Sequence, residues 1–367
     1  MKLFKRRSND EFTDGPGHQD VAEKQGRSEN VIRAVWEWFK ETWPDNFLLA
    51  ETALVTFAIY MAPPVAPRTF QLRYLNGSPI PPSGFDHEYR PYILNSWVCG
   101  GIALATPMLA FLLMQIRVRS MRDFGNAMFG VQFSVATSAL MHVIIASFVG
   151  GLRPNFYDVC KPEGKEQHGE GWETEVLDRD ACTGDKRMVD YAFSSFPSGH
   201  STASFAGFVF LFLYLNGKLK TFSNFRPPFW ALVLTWSPIL AAIVIAGQCI
   251  IDHSHHGYDV LAGAALGTLM AFSAYRMVYA SVWDFRFNHI PLARYAPFQY
   301  GPDSNPAQYD GLSKAMLTKD AGWGSATERP WNGAPFDRAA SAPVGNHSGR
   351  EHEGPSQIPV TDAGHMA

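Results

Sequence analysis

Charge is scarce in this chain. Of its 367 residues only 18% are Asp, Glu, Lys or Arg, and the formal net charge is -3 at pH 7. No basic stripe with interleaved aromatics is present, which argues against a nucleic-acid partner, and the near-neutral balance forms no sink for acidic ligands. Cysteine is scarcer still: four residues are too few for a disulfide scaffold. They leave room for one bridge between Cys160 and Cys182, which share a polar segment, whereas Cys99 and Cys249 lie in or beside apolar runs. The opening MKLFKRRSND is basic but lacks the apolar core of a cleavable secretory signal, so the first apolar run is expected to act as an uncleaved anchor. No internal repeat is visible.

The mean hydropathy of -0.10 is that of a soluble protein. It misleads, because the charges crowd into residues 1–45, 152–192 and beyond 283. Between them lie runs of about 20 uncharged residues, the length that crosses a bilayer. Six spans are expected, at about 47–65, 97–116, 124–150, 200–215, 228–251 and 260–283. The first is the weakest, since it contains Glu51 and ends in Pro63 and Pro64. Just before it, VIRAVWEWFKETW (31–43) sets Trp and Val between charges, as a helix lying on a membrane surface does. GAALG (263–267) has small residues one turn apart, a pattern for close helix packing. The expected fold is therefore all-α, a six-helix transmembrane bundle over residues 46–283. A polar segment precedes it at 1–45, and a disordered cytosolic tail, rich in Pro, Gly, Ser and Asn, follows at 284–367.

Orientation follows from the excess of Lys and Arg in cytosolic loops. Lys5, Arg6 and Arg7 mark the N-terminal segment, and Arg117, Arg119, Arg122, Lys218, Lys220 and Arg226 mark two short loops. The 152–192 segment dilutes six basic residues among ten acidic ones and is expected on the lumenal or extracellular side.

With six alternating helices, three polar segments emerge together on that side: GGLRPNFYDVC (150–160), FPSGHSTASF (196–205) and GQCIIDHSHHGYD (247–259). The last packs three histidines and two aspartates into eight residues. Each segment suits a phosphate. Arg153 offers a planar fork of donors, and the following Pro holds the chain extended. Ser198, Gly199 and His200 stand where a helix begins, so free backbone N–H groups and the positive dipole end favour an anion. His255 and Asp259 are four apart at a helix start, so the carboxylate can hold one ring nitrogen while the other faces a substrate.

In order, these segments resemble the three signature motifs of the type 2 phosphatidate phosphatase, or lipid phosphate phosphatase, superfamily, which includes vanadium haloperoxidases. The family patterns are K-x6-R-P, P-S-G-H and S-R-x5-H-x3-D, and the resemblance runs over about residues 47–283. It implies a six-helix membrane fold and metal-independent, cofactor-free removal of phosphate from a lipid phosphate ester. In that scheme His255 attacks phosphorus, Asp259 orients it, His200 protonates the leaving alkoxide, and Arg153, Ser198 and Gly199 hold the phosphoryl oxygens. Asp252, His253 and His256 fall outside the spacing and are expected to be solvated loop residues.

Two cations of the pattern are missing. The lysine position holds Ala146 and the arginine position Cys249, preceded by Gln248 in place of Ser. Lys161, Lys165, Arg179, Lys186 and Arg187, or protonated His253 or His256, are candidates to compensate. Three functions therefore stand beside one another: a divergent lipid phosphate phosphatase, a catalytically silent relative that binds phospholipid or a protein, and a transport or metal-binding protein using the His-rich loop.

Overall fold

Backbone groups in lipid have no water to bond, so long apolar runs resolve into helices that satisfy themselves internally. The computed structural model describes residues 16–65, 69–74, 84–162, 170–171, 174–223, 226–294, 297–298 and 300. Residues 1–15, Lys165 and the tail from 301 lie outside the described residues. The helices are α1 (Pro16–Met61), α2 (Ser96–Val118), α3 (Met121–Phe148), α4 (Phe156–Cys160), α5 (Lys186–Ala192), α6 (Gly199–Leu219), α7 (Phe229–Ile251) and α8 (Gly257–Val278).

Five of them, α2, α3, α6, α7 and α8, are long and apolar enough to cross a membrane. The sixth expected span is the second half of α1, where Asp45, Asn46 and Glu51 dilute the apolar run. The expected surface helix at 31–43 is not separate either: α1 continues unbroken for 46 residues, through Pro44.

Helix α6 is the axis of the bundle, buried almost all round and packed against α2, α3, α7 and α8. The outer helices turn Leu109, Leu112, Ile116, Leu240, Ile243, Leu261 and Leu269 outward. Apolar surface of that extent is unfavourable in water and favourable in lipid, so these are the outer faces of an integral membrane protein. The small residues of 263–267 let α8 approach α6. A Cβ on Gly263 would fall 2.5 Å from the Ser198 carbonyl, and one on Gly267 would fall 2.3 Å from that of Thr202. That contact draws the second and third polar segments together.

The described residues of the 152–192 segment are folded, a departure from a purely helical chain. Strands β1 (Phe70–Tyr74), β2 (Glu170–Gly171) and β3 (Thr174–Leu177) form an antiparallel sheet in the order β1-β3-β2. Phe70, Phe156, Val159, Leu177, Val189 and Phe193 make a small core beside it. The whole forms a cap on the face where α3 ends and α6 begins. Cys160 and Cys182 are disulfide-bonded across 22 residues within it. Closing a loop of that length stabilises a fold by about 3 kcal/mol, mainly by restricting the unfolded chain. Mass spectrometry of non-reduced peptides should find the linked pair, and replacing both with serine should lower the unfolding temperature. Free thiols at both positions in the native protein would count against the bridge.

At the opposite end, Asp123 and Lys218 form a fully buried ion pair, and the Tyr214 and Tyr279 hydroxyls donate to the same carboxylate. Residues 284–294, expected to belong to the tail, fold back onto this end. Asn126 donates to the carbonyls of Val278 and Leu292 at 2.8 and 2.9 Å, and the Tyr275 hydroxyl donates to Asn288 O at 2.7 Å. The folded domain thus runs past the expected boundary at 283.

Candidate active site

Arg153, His200, His255 and Asp259 come from three different segments and meet in one buried constellation at the capped end of the bundle. Arg153 is 4% exposed, His200 5% and His255 2%. The Arg153 guanidinium lies 3.6 Å over the ring of Tyr191. Its Nε donates to Tyr191 O (2.8 Å), Nη2 to Ser194 O (3.0 Å), and Nη1 to Ser254 O (2.7 Å) and the Tyr92 hydroxyl (3.0 Å). Nη1 also lies 3.0 Å from His255 Nε2, so its two hydrogens are shared among three acceptors.

That last contact fixes a tautomer. Arginine has no acceptor, so His255 Nε2 presents its lone pair. The proton then sits on Nδ1, which donates to the Ser195 carbonyl at 2.8 Å. Asp259, expected to hold that nitrogen directly, has Oδ2 at 3.8 Å from it. The carboxylate acts one residue removed: Oδ2 accepts from the Ser195 hydroxyl at 2.6 Å and from His256 N at 2.9 Å. Ser195 thus links Asp259 to His255, its hydroxyl bound to one and its carbonyl to the other.

Ser198 caps α6, accepting from Ser201 N, and its own N–H donates to Asp259 O at 3.0 Å. Gly199 and His200 are the first residues of the helix, where backbone N–H groups lack intrahelical partners. His200 Nε2 donates to Leu94 O at 2.8 Å, and its ring lies 4.6 Å from that of Tyr92. The predicted residues are therefore brought together, with Ser198 and Gly199 at the lip of the same helix end.

The two departures are both buried. Cys249 is 1% exposed, packed with Ala246, Val260 and Phe205, with its thiol beside the Ser198 side chain. Its carbonyl accepts from both Ser254 N and His255 N at 3.1 Å, so it also anchors the His255 loop. Ala146 is buried on α3. None of the described compensating bases replaces them: Arg179 pairs with Asp190, and Lys161, Lys186 and Arg187 are exposed. His253 stacks on His87 at 4.2 Å, and Asp252, expected in solvent, is buried and accepts from Ile93 N at 3.3 Å. Among the described residues no group of three or more His, Cys, Asp or Glu is arranged to hold a metal ion.

Sequence reasoning missed the segment 84–95, which lies over the site. Tyr92 and Leu94 touch Arg153 and His200, Tyr89 N donates to Asp158 at 2.8 Å, and His87 N donates to Pro154 O at 3.1 Å. Burial pushes the Tyr92 hydroxyl up to about 12, so it keeps its proton. Nothing in the residue types of a connecting loop announces such contacts.

Burial, reinforced by the Arg153 charge, lowers the pKa of His255 to about 3. The folded ring thus stays neutral where an unfolded histidine is protonated, below about 6.5. Between those values the unfolded chain binds more protons, so this contribution to stability is complete above about 6.5 and is lost as pH falls towards 3. Thermal unfolding of wild type should therefore weaken more steeply on acidification than that of His255→Asn. Parallel pH dependences for the two proteins would contradict the assignment.

Residues 127–283 match the PAP2 superfamily. Lipid phosphate phosphatase 1 of Arabidopsis thaliana is 36% identical over 183 residues, which is 50% of this chain and 54% of that protein. Probable lipid phosphate phosphatase 4 of the same plant is 34% identical over 188 residues, 51% of this chain and 59% of its own. Diacylglycerol pyrophosphate phosphatase 1 of Saccharomyces cerevisiae is 33% identical over 161 residues, 43% and 54% respectively. The chain thus spans little more than half the length of these relatives. No solved structure matches it.

Proposed function

We propose, from the membership of residues 127–283 in the PAP2 superfamily, that this chain is a metal-independent membrane phosphatase acting on phosphatidate or a related lipid phosphate. The observation that carries the reading is the His255 tautomer: an unprotonated Nε2, held by Nδ1–H on the Ser195 carbonyl, beside the Arg153 fork. A neutral, oriented imidazole of this kind is what nucleophilic attack on phosphorus requires.

In the proposed sequence, phosphoryl oxygens take over the Arg153 Nη1–H that rests on His255, which frees the Nε2 lone pair. Nε2 bonds to phosphorus while the phosphorus–alkoxide bond breaks. His200, as imidazolium, gives its proton to the alkoxide and releases the lipid alcohol. Water then attacks phosphorus with His200 as base, the phosphorus–nitrogen bond breaks, and inorganic phosphate departs. Ser198, Gly199 and the N-terminal end of α6 receive the remaining oxygens. The active face is lumenal or extracellular, a placement supported by the basic loops at the other end and by the disulfide in the cap.

The test is phosphate release by the purified full chain in mixed micelles, with a chelator present, on a panel of phosphatidate, other lipid phosphates and diacylglycerol pyrophosphate. Release that survives chelation is expected. A folded protein that binds these lipids without turnover would establish the second reading, a catalytically silent phospholipid binder. That alternative draws on Ala146 and Cys249, which supply no charge at the two positions where the resemblance implies cations.

A further inference from the structure

The wall that α3 turns towards the start of α6 carries one titratable side chain, and the mechanism above does not use it. His142 stands one helical turn before Ala146. Its ring rests on the peptide that opens α6: a Cβ on Gly199 would fall 2.8 Å from His142 Nε2 and 3.1 Å from Cε1. Glycine is therefore the residue that lets this ring reach the helix end. His142 Nδ1 is buried and has no hydrogen-bond partner among the described residues. Arg153 and His200 are its charged and titratable neighbours.

We propose that His142 is a phosphoryl-binding residue of this site, donating from Nε2 to an oxygen of the bound phosphate. The proposal rests on the phosphatase reading and deepens it. A buried N–H without a partner is disfavoured more than a buried lone pair, so the single proton of the neutral ring belongs on Nε2. That places an N–H donor against Gly199, at the helix terminus whose own N–H groups face an anion. Among the described residues the ring has no hydrogen-bonding partner to explain a polar side chain here; an apolar ring of the same size would fill the space equally well. One turn further along α3, Ala146 offers only a methyl group.

The discriminating variant is His142→Phe, which keeps the volume and removes the donor, with His142→Gln as the conservative rescue. Two readouts on the full chain are needed: kcat/KM on phosphatidate, and thermal stabilisation by orthovanadate, a tetrahedral oxyanion that reports the site without turnover. His142→Phe should unfold at the wild-type temperature, lose about tenfold or more in kcat/KM and lose vanadate stabilisation in proportion. His142→Gln should recover part of both. Wild-type kinetics and vanadate response in His142→Phe would overturn the proposal while leaving the phosphatase reading intact. A wild type that is stabilised by vanadate but releases no phosphate would sink the phosphatase reading; loss of that stabilisation in His142→Phe would still support the oxyanion contact. If wild type shows neither response, both fall.

Discussion

His255→Ala is expected to abolish phosphate release, by a factor on the order of 10⁴ or more, the scale on which deleting a nucleophile acts. His256→Ala should leave most of the activity. The two histidines are adjacent in sequence but differently placed. His255 is buried, with Nε2 facing Arg153 and Nδ1 on the Ser195 carbonyl. His256 opens α8 and is tied to Asp259 through its backbone N–H, which an alanine retains. A phosphohistidine is labile in acid and stable in base, so a brief reaction with ³²P-labelled lipid, quenched in base, should trap label on wild type and none on His255→Ala. Equal loss of activity from the two substitutions would mean that the three-residue gap before Asp259 does not identify the nucleophile.

Arg153→Lys should be nearly as damaging, with a loss on the order of 10²- to 10³-fold. The guanidinium is a crosspiece of the site as well as a donor to it. From one planar group it holds the carbonyls of Tyr191, Ser194 and Ser254 and the Tyr92 hydroxyl. An ammonium has three donors on a single atom and cannot span acceptors spread over three segments. Each buried carbonyl left unpaired costs about 1–3 kcal/mol, so the substitution should also lower the unfolding temperature. Activity and thermal unfolding measured together separate the two effects. A lysine variant that keeps wild-type stability and turnover would show that charge alone is needed at this position and that the fork is not.

The lengths of the apolar runs were enough to specify five membrane helices, because in lipid a run of that length has no alternative to helix. The motif residues were equally legible. They lie at helix ends, and strict alternation of spans puts the end of α3, the start of α6, the end of α7 and the start of α8 on one face. The first span was less so: Asp45, Asn46 and Glu51 weaken the hydropathic contrast, and α1 runs through the expected boundary as one helix. The folded cap was not legible, since its strands are short and completed by β1, about a hundred residues away in sequence from β3. Nor was the inner wiring of the site. Sequence spacing could place Asp259 near His255, but not that Ser195 would stand between them. It could not bring Tyr92 and Leu94 onto Arg153 and His200, or His142 against Gly199. The reason is physical: these contacts are made largely by backbone carbonyls and by space left at a glycine. Every residue carries a carbonyl, and which one meets a side chain is decided only when the helices pack.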